Sequence, residues 1–289
     1  MKALLNSGPT QINLIDLSVK EQFYLASFLK SAPFLKSNDS NGVKLSPTKY
    51  SDNYIFKYLL DKSIISVFTE NNVNIDSLDL FRHVKNDQIT IDINVFSTDL
   101  ADNQLLSNLQ DPVISKCNQL ELEELTKEVL VLECIEFIIV KLKYIDIPFN
   151  YSYEIFEQIK DILQYFSASQ FCYVYWEQLK SLNYERSAGK INSNQLIENN
   201  ISTTISFLKK AKKENWRVSG YYRDKNYTPS VFSNLILIYQ YTWGLKNFYK
   251  RPNSSSNLQL HVELNPDCSL DPNKQFIRSN GDITNSLIL

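Results

Sequence analysis

Residues 120–142 read LELEELTKEVLVLECIEFIIVKL. Leu122, Leu125, Val129, Leu132, Ile135, Ile139 and Leu142 recur three and four positions apart. At 3.6 residues per turn this spacing lays one apolar stripe along a long helix. Glu121, Glu123, Glu124 and Glu128 crowd its start, where the helix dipole favours negative charge. The run closes near Pro148, and more helices follow. Ser152 opens one that carries Ile155, Ile159, Ile162 and Phe166. Residues 167–182 form another, rich in Phe171, Tyr173, Tyr175 and Trp176, and residues 195–214 align Ile197, Ile201, Ile205 and Leu208. A last helix is expected from Thr228, with Pro229 at its first position and Pro252 as its stop. It is apolar on every side, through Val231, Leu235, Ile238 and Leu245 and through Phe232, Ile236, Tyr239 and Trp243, as the centre of a bundle would be.

The chain is therefore expected to be mainly α, with an irregular helical bundle over 104–252 and a small α+β region over 1–103. In that first region Ser18 and Glu21 have the spacing of a capping box, and the helix they open is expected to end at Pro33. A second helix is read with Ser46 as cap and Pro47 at its first position. Residues 64–68 read as a strand, and Gln88 to Phe96 alternates apolar and polar over nine residues as a second. Helix, helix, strand, strand is the outline of a winged helix; the other reading is a small α+β cap on the helical body. Residues 253–289 are polar and rich in Asn and Ser, and are expected to be a loosely ordered tail.

Composition narrows function mainly by exclusion. The 289 residues are 43% hydrophobic with net charge −2, enough apolar material for a large core and no global signature of nucleic-acid binding. Six widely separated glycines leave no Walker loop and no dinucleotide fingerprint. Only His83 and His261 are available for imidazole chemistry, and neither lies in a metal or catalytic pattern. Cys117, Cys134, Cys172 and Cys268 show no Cys-x-x-Cys spacing and are read as free structural thiols. The start of the chain lacks the apolar core of a signal peptide, and no run of about 20 apolar residues is present. The cytoplasm is the expected location, with no membrane partner. Neither cofactor nor metal is expected.

Two constellations remain. Glu133 and Glu136 are three apart in the apolar run, hence neighbours on a helix, but the Glu-x-x-His motifs of a di-metal bundle are missing. They are read as solvent-facing or paired. Residues 209–225 hold seven basic side chains against two acidic ones, a local net of +5. Lysines also complement the negative end of a helix and keep it soluble, and that is the plainer account of them. As a binding surface the segment offers Lys209, Lys210, Lys213, Trp216, Arg217, Tyr221, Tyr222 and Arg223 for phosphate contact and base stacking. A rival surface is the second helix with Lys49, Lys57 and Lys62. The expectation is a non-enzymatic binding or regulatory protein with a protein or nucleic-acid partner. The alternatives are an enzyme whose Asp, Glu, Tyr, Arg and Lys site follows no motif, or a subunit of an obligate assembly.

Overall fold

The computed structural model describes residues 11–36, 44–69, 89–98, 104–105, 108–109, 119–223, 227–240 and 248. The elements are β1 (Ile12–Asn13), α1 (Val19–Lys36), α2 (Lys49–Asp61), β2 (Ile65–Thr69), β3 (Ile89–Ile93) and β4 (Val95–Phe96). Then come α3 (Gln119–Lys143), α4 (Tyr153–Leu163), α5 (Ala168–Ser187), α6 (Ser193–Lys213) and α7 (Val231–Gln240). The described protein is mainly helical, as the apolar spacing requires.

The helix starts are set by side-chain caps. Ser18 and Glu21 form the expected box: the Ser18 N–H donates to Glu21 Oε2 at 2.8 Å, and the Glu21 N–H to Ser18 Oγ at 3.3 Å. Ser152 and Ser167 cap α4 and α5 where the sequence places them. Several boundaries differ, among them the end of α5, which runs to Ser187 rather than to residue 182. α1 continues through Pro33 to Lys36, although the proline has no N–H to give to the carbonyl of Leu29. α2 is capped by Thr48, not Ser46, and Pro47 lies outside it. α7 begins at Val231 rather than at Thr228, with the Ser233 N–H donating to Ser230 Oγ at 3.0 Å.

Four helices end in the same way. Ser63, Asp146, Gly189 and Asn215 adopt positive φ of 55°, 56°, 72° and 53° after α2, α3, α5 and α6. In each, the next N–H reaches back to the carbonyl five residues earlier, as Trp216 N does to Ala211 O at 2.8 Å. This is the Schellman closure, usually made by glycine. A chain with six glycines makes three of these four with Ser, Asp or Asn.

Two short sheets flank the helices. β2 and β3 pair antiparallel, with Ile65 opposite Ile93. The expected nine-residue strand is broken at Asn94, so β4 leaves β3 and pairs in parallel with β1. Asn94 makes the break useful: its amide donates to Ser63 O at 2.8 Å and Ser66 Oγ at 2.6 Å. The winged-helix outline is not confirmed.

α3 packs against α1, α4, α5 and α7, and α1 in turn against α2 and α7. Residues 129–136 are consequently buried on every side, over two full turns. The N–H groups of Val231 and Phe232, free at the start of α7, donate to the carbonyls of Lys44 and Leu45 at 2.8 and 2.9 Å. Phe232, Ser233, Leu235, Ile236 and Leu237 are buried while Asn234 is exposed. Residues 241–247 and the whole of 253–289, with the expected tail, lie outside the described residues, as do His83, His261, Cys117 and Cys268. Cys134 and Cys172 are buried free thiols against one another, and burial pushes the Cys134 thiol well up. No helix among the described residues is long and apolar enough to cross a membrane.

Candidate functional site

The basic segment is divided by the end of α6. Its buried face carries Ile201, Thr204, Leu208 and Ala211, which leaves Lys209, Lys210 and Lys213 on the solvent side. Lys212 lies at the flank, exposed, with its ammonium over the Tyr165 ring. The left-handed Asn215 then folds the chain back and sets Trp216 on Phe207, with ring centroids 5.8 Å apart. Trp216 is 43% exposed and Phe207 36%, and the Lys210 ammonium stands 5.2 Å from the Trp216 centroid. Arg217 is exposed beside them. Phe207 was not singled out from sequence: it faces away from the apolar stripe, and only the reversal at Asn215 brings Trp216 to it.

Beyond Arg217 the segment turns inward. Val218 O accepts from Gln170 Nε2 at 2.9 Å, and Tyr221 exchanges bonds with Ser169 through its N–H and its carbonyl, each 2.9 Å. Gly220 is needed for this approach, because a Cβ there would sit 2.5 Å from Ser169 Oγ. Side chains then alternate as on an extended chain. Tyr221 packs edge-on to Phe137 with Lys141 above its ring, Tyr222 is 86% exposed, and Arg223 enters the core. Lys209, Lys210, Lys213, Trp216 and Arg217 are all exposed at the end of α6, and of these the Lys210 ammonium stands at the Trp216 ring. Tyr221 has its ring engaged elsewhere, and Arg223 does not belong to that group.

Arg223 instead reaches Glu133. The Glu133 side chain is 0% exposed and that of Arg223 10%. One Glu133 oxygen takes the Arg223 guanidinium and the Tyr227 hydroxyl, the latter at 2.5 Å; the other takes the Ser233 hydroxyl. Tyr227 also lies 2.7 Å from Glu136 Oε2, and Lys44 pairs with the other Glu136 oxygen. Arg223 is sandwiched, 4.0 Å from the Tyr227 ring centroid and 3.9 Å from that of Phe248. Burial and the neighbouring Glu133 both raise the Glu136 carboxyl above the ordinary range. Burial is the largest single influence on the Arg223 cation and works against it, but Glu133 and Tyr227, with a smaller share from Cys172, together outweigh it and hold the guanidinium charged. Two carboxylates are matched by two cations, drawn from three separate stretches of chain. The paired reading of Glu133 and Glu136 holds, and the solvent-facing one does not.

A cleft of about 160 Å³ opens elsewhere, beside Lys20, Glu124, Leu125 and Glu128, and neither Glu133 nor Arg223 lines it. Among the described residues no group of three or more His, Cys, Asp or Glu side chains is arranged to hold a metal ion. Compared with protein-family models, with curated proteins and with solved structures, the chain matches none.

Proposed function

We propose that this protein is a non-enzymatic binding protein that engages nucleic acid through the exposed end of α6. The observation that supports this reading is the exposed Phe207–Trp216 pair with the Lys210 ammonium 5.2 Å from the Trp216 centroid, on a helix end that also exposes Lys209 and Lys213, with the exposed Arg217 following it. Cations at that density gain affinity by releasing condensed counterions, and an exposed indole offers a stacking face indifferent to base identity. The buried carboxylates, which an enzyme reading would use, are each engaged by a cation and by hydroxyl groups.

A fluorescently labelled single-stranded oligonucleotide, titrated between 50 and 200 mM salt, tests it (~0.7 units of salt slope per phosphate contact). Replacing Lys209, Lys210 and Lys213 with glutamine should weaken binding and flatten the slope by about two units. Trp216→Ala should cost about 1–3 kcal/mol and leave the slope alone. A triple variant that binds like the parent moves the contact to α2, the winged-helix reading, where Lys49, Lys57 and Lys62 are also exposed. No binding by the parent at low salt removes nucleic acid and leaves a protein partner.

A further inference from the structure

A second constellation lies across the molecule's other helices. Lys20 and Tyr24 stand one turn apart on α1, Tyr54 and Tyr58 one turn apart on α2, and Glu128 comes from α3. The Tyr24 ring meets those of Tyr58 and Tyr54 at 90° and 87°, with centroids 5.4 and 6.3 Å apart. These rings are the walls of a box. Inside it the Lys20 ammonium lies 5.2, 5.5 and 5.6 Å from the centroids of Tyr24, Tyr54 and Tyr58. Glu128 Oε2 approaches it to 3.2 Å, and Glu128 Oε1 accepts from the Tyr24 hydroxyl at 2.7 Å. That bond fixes the fully buried Tyr24 and the carboxylate together.

Three electron-rich rings and one carboxylate around a cation are the chemistry that recognises an alkylammonium group. A methylated ammonium suits such rings better than a primary one, because it is more weakly hydrated and has fewer N–H bonds to satisfy. The box is accessible: Tyr54 is 45% exposed. Lys20 and Glu128 also line the cleft, where Leu125 and Phe156 provide apolar surface for a ligand's carbon chain. Glu121 and Glu124 line the same cleft and offer carboxylates to a displaced Lys20.

We propose that Tyr24, Tyr54, Tyr58 and Glu128 form a binding site for a methylated ammonium cation, with Lys20 as the internal occupant that the ligand displaces. The site is separate from the end of α6 and does not depend on the nucleic-acid reading.

Lys20→Ala vacates the box, and tetramethylammonium chloride is the probe, titrated by calorimetry with sodium chloride as the ionic control. The variant should bind it saturably and at least tenfold more tightly than the parent. Tyr58→Ala in the Lys20→Ala background should abolish binding. On the parent itself, tyrosine-ring NMR resonances of Tyr24, Tyr54 and Tyr58 should shift saturably with tetramethylammonium and not with sodium, a readout that survives a poorly folding variant. Choline and trimethyllysine amide then distinguish a small-molecule source from a protein side chain, and tighter binding of either supports the site. Absence of saturable shifts in the parent together with no binding by folded Lys20→Ala overturns it. So does equal affinity with and without Tyr58.

Discussion

Arg223→Met would remove the cation from a carboxylate that has no access to water. Glu133 keeps two neutral donors, Tyr227 and Ser233, after the change. Breaking a buried pair from one side costs about 3–5 kcal/mol, and the remaining hydroxyls place the expected loss near the lower figure, ~3 kcal/mol. Removing both charges should be far less harmful. In Glu133→Leu/Arg223→Met, Tyr227 still donates to Glu136 at 2.7 Å and Ser233 still accepts from Ser230 at 2.8 Å, so each hydroxyl keeps one partner. The double variant should therefore be more stable than Arg223→Met alone, which amounts to a coupling of about 2 kcal/mol or more. Urea unfolding followed by far-UV circular dichroism at pH 7 measures it; with a slope of ~3 kcal/mol/M the single variant's midpoint should fall by about 1 M. A loss below about 1 kcal/mol for Arg223→Met, or additivity of the two substitutions within ~0.5 kcal/mol, would refute the account of this pair.

Asp52 accepts from the Ser46 N–H at 2.8 Å and lies 2.5 Å from its hydroxyl, and burial raises its carboxyl from 3.8 to about 6. The folded state then holds a proton that the unfolded chain has released. Stability should fall as pH rises from about 4 to 6, by up to ~3 kcal/mol in all, and Asp52→Asn should reduce that slope in urea melts taken across the range. Asn215→Val forces a branched side chain into φ 53° and should cost about 1–2 kcal/mol, whereas Asn215→Gly should be neutral or stabilising in thermal melts. Leu235→Asp places an unpaired charge at a buried position of α7 and should lower stability by about 3 kcal/mol or more; a melt like the parent's would make α7 peripheral.

The helices were legible because their apolar spacing and most of their caps are local properties. Two helix starts differ from the sequence expectation for one reason. Ser46-Pro47-Thr48 and Thr228-Pro229-Ser230 both place a proline between two hydroxyl residues. The proline suggests that it opens the helix with the first hydroxyl as cap, yet both helices use the second. The charged core was legible only in part. One stripe on 120–142 implies an opposite face in water, but four helices cover α3, so Glu133 and Glu136 are enclosed whichever way they point. Arg223 was grouped with its neighbours by local charge density, while its partner is 90 residues away. Lys20 gave no signal at all, because its three tyrosines come together only when α1 meets α2.

The same cluster bears on how the chain is made. A ribosome delivers Glu133 about ninety residues ahead of Arg223, Tyr227 and Ser233. Until those arrive, the middle of α3 carries a carboxylate that cannot be enclosed without its counter-ion. Lys44, already synthesised, can serve Glu136 but is not the partner of Glu133. Enclosure of Glu133 with its counter-ion thus waits until the stretch that carries Arg223, Tyr227 and Ser233 has left the exit tunnel. A product cut short before residue 223 would keep that apolar surface on display, the feature by which chaperones and proteases recognise unfinished chains.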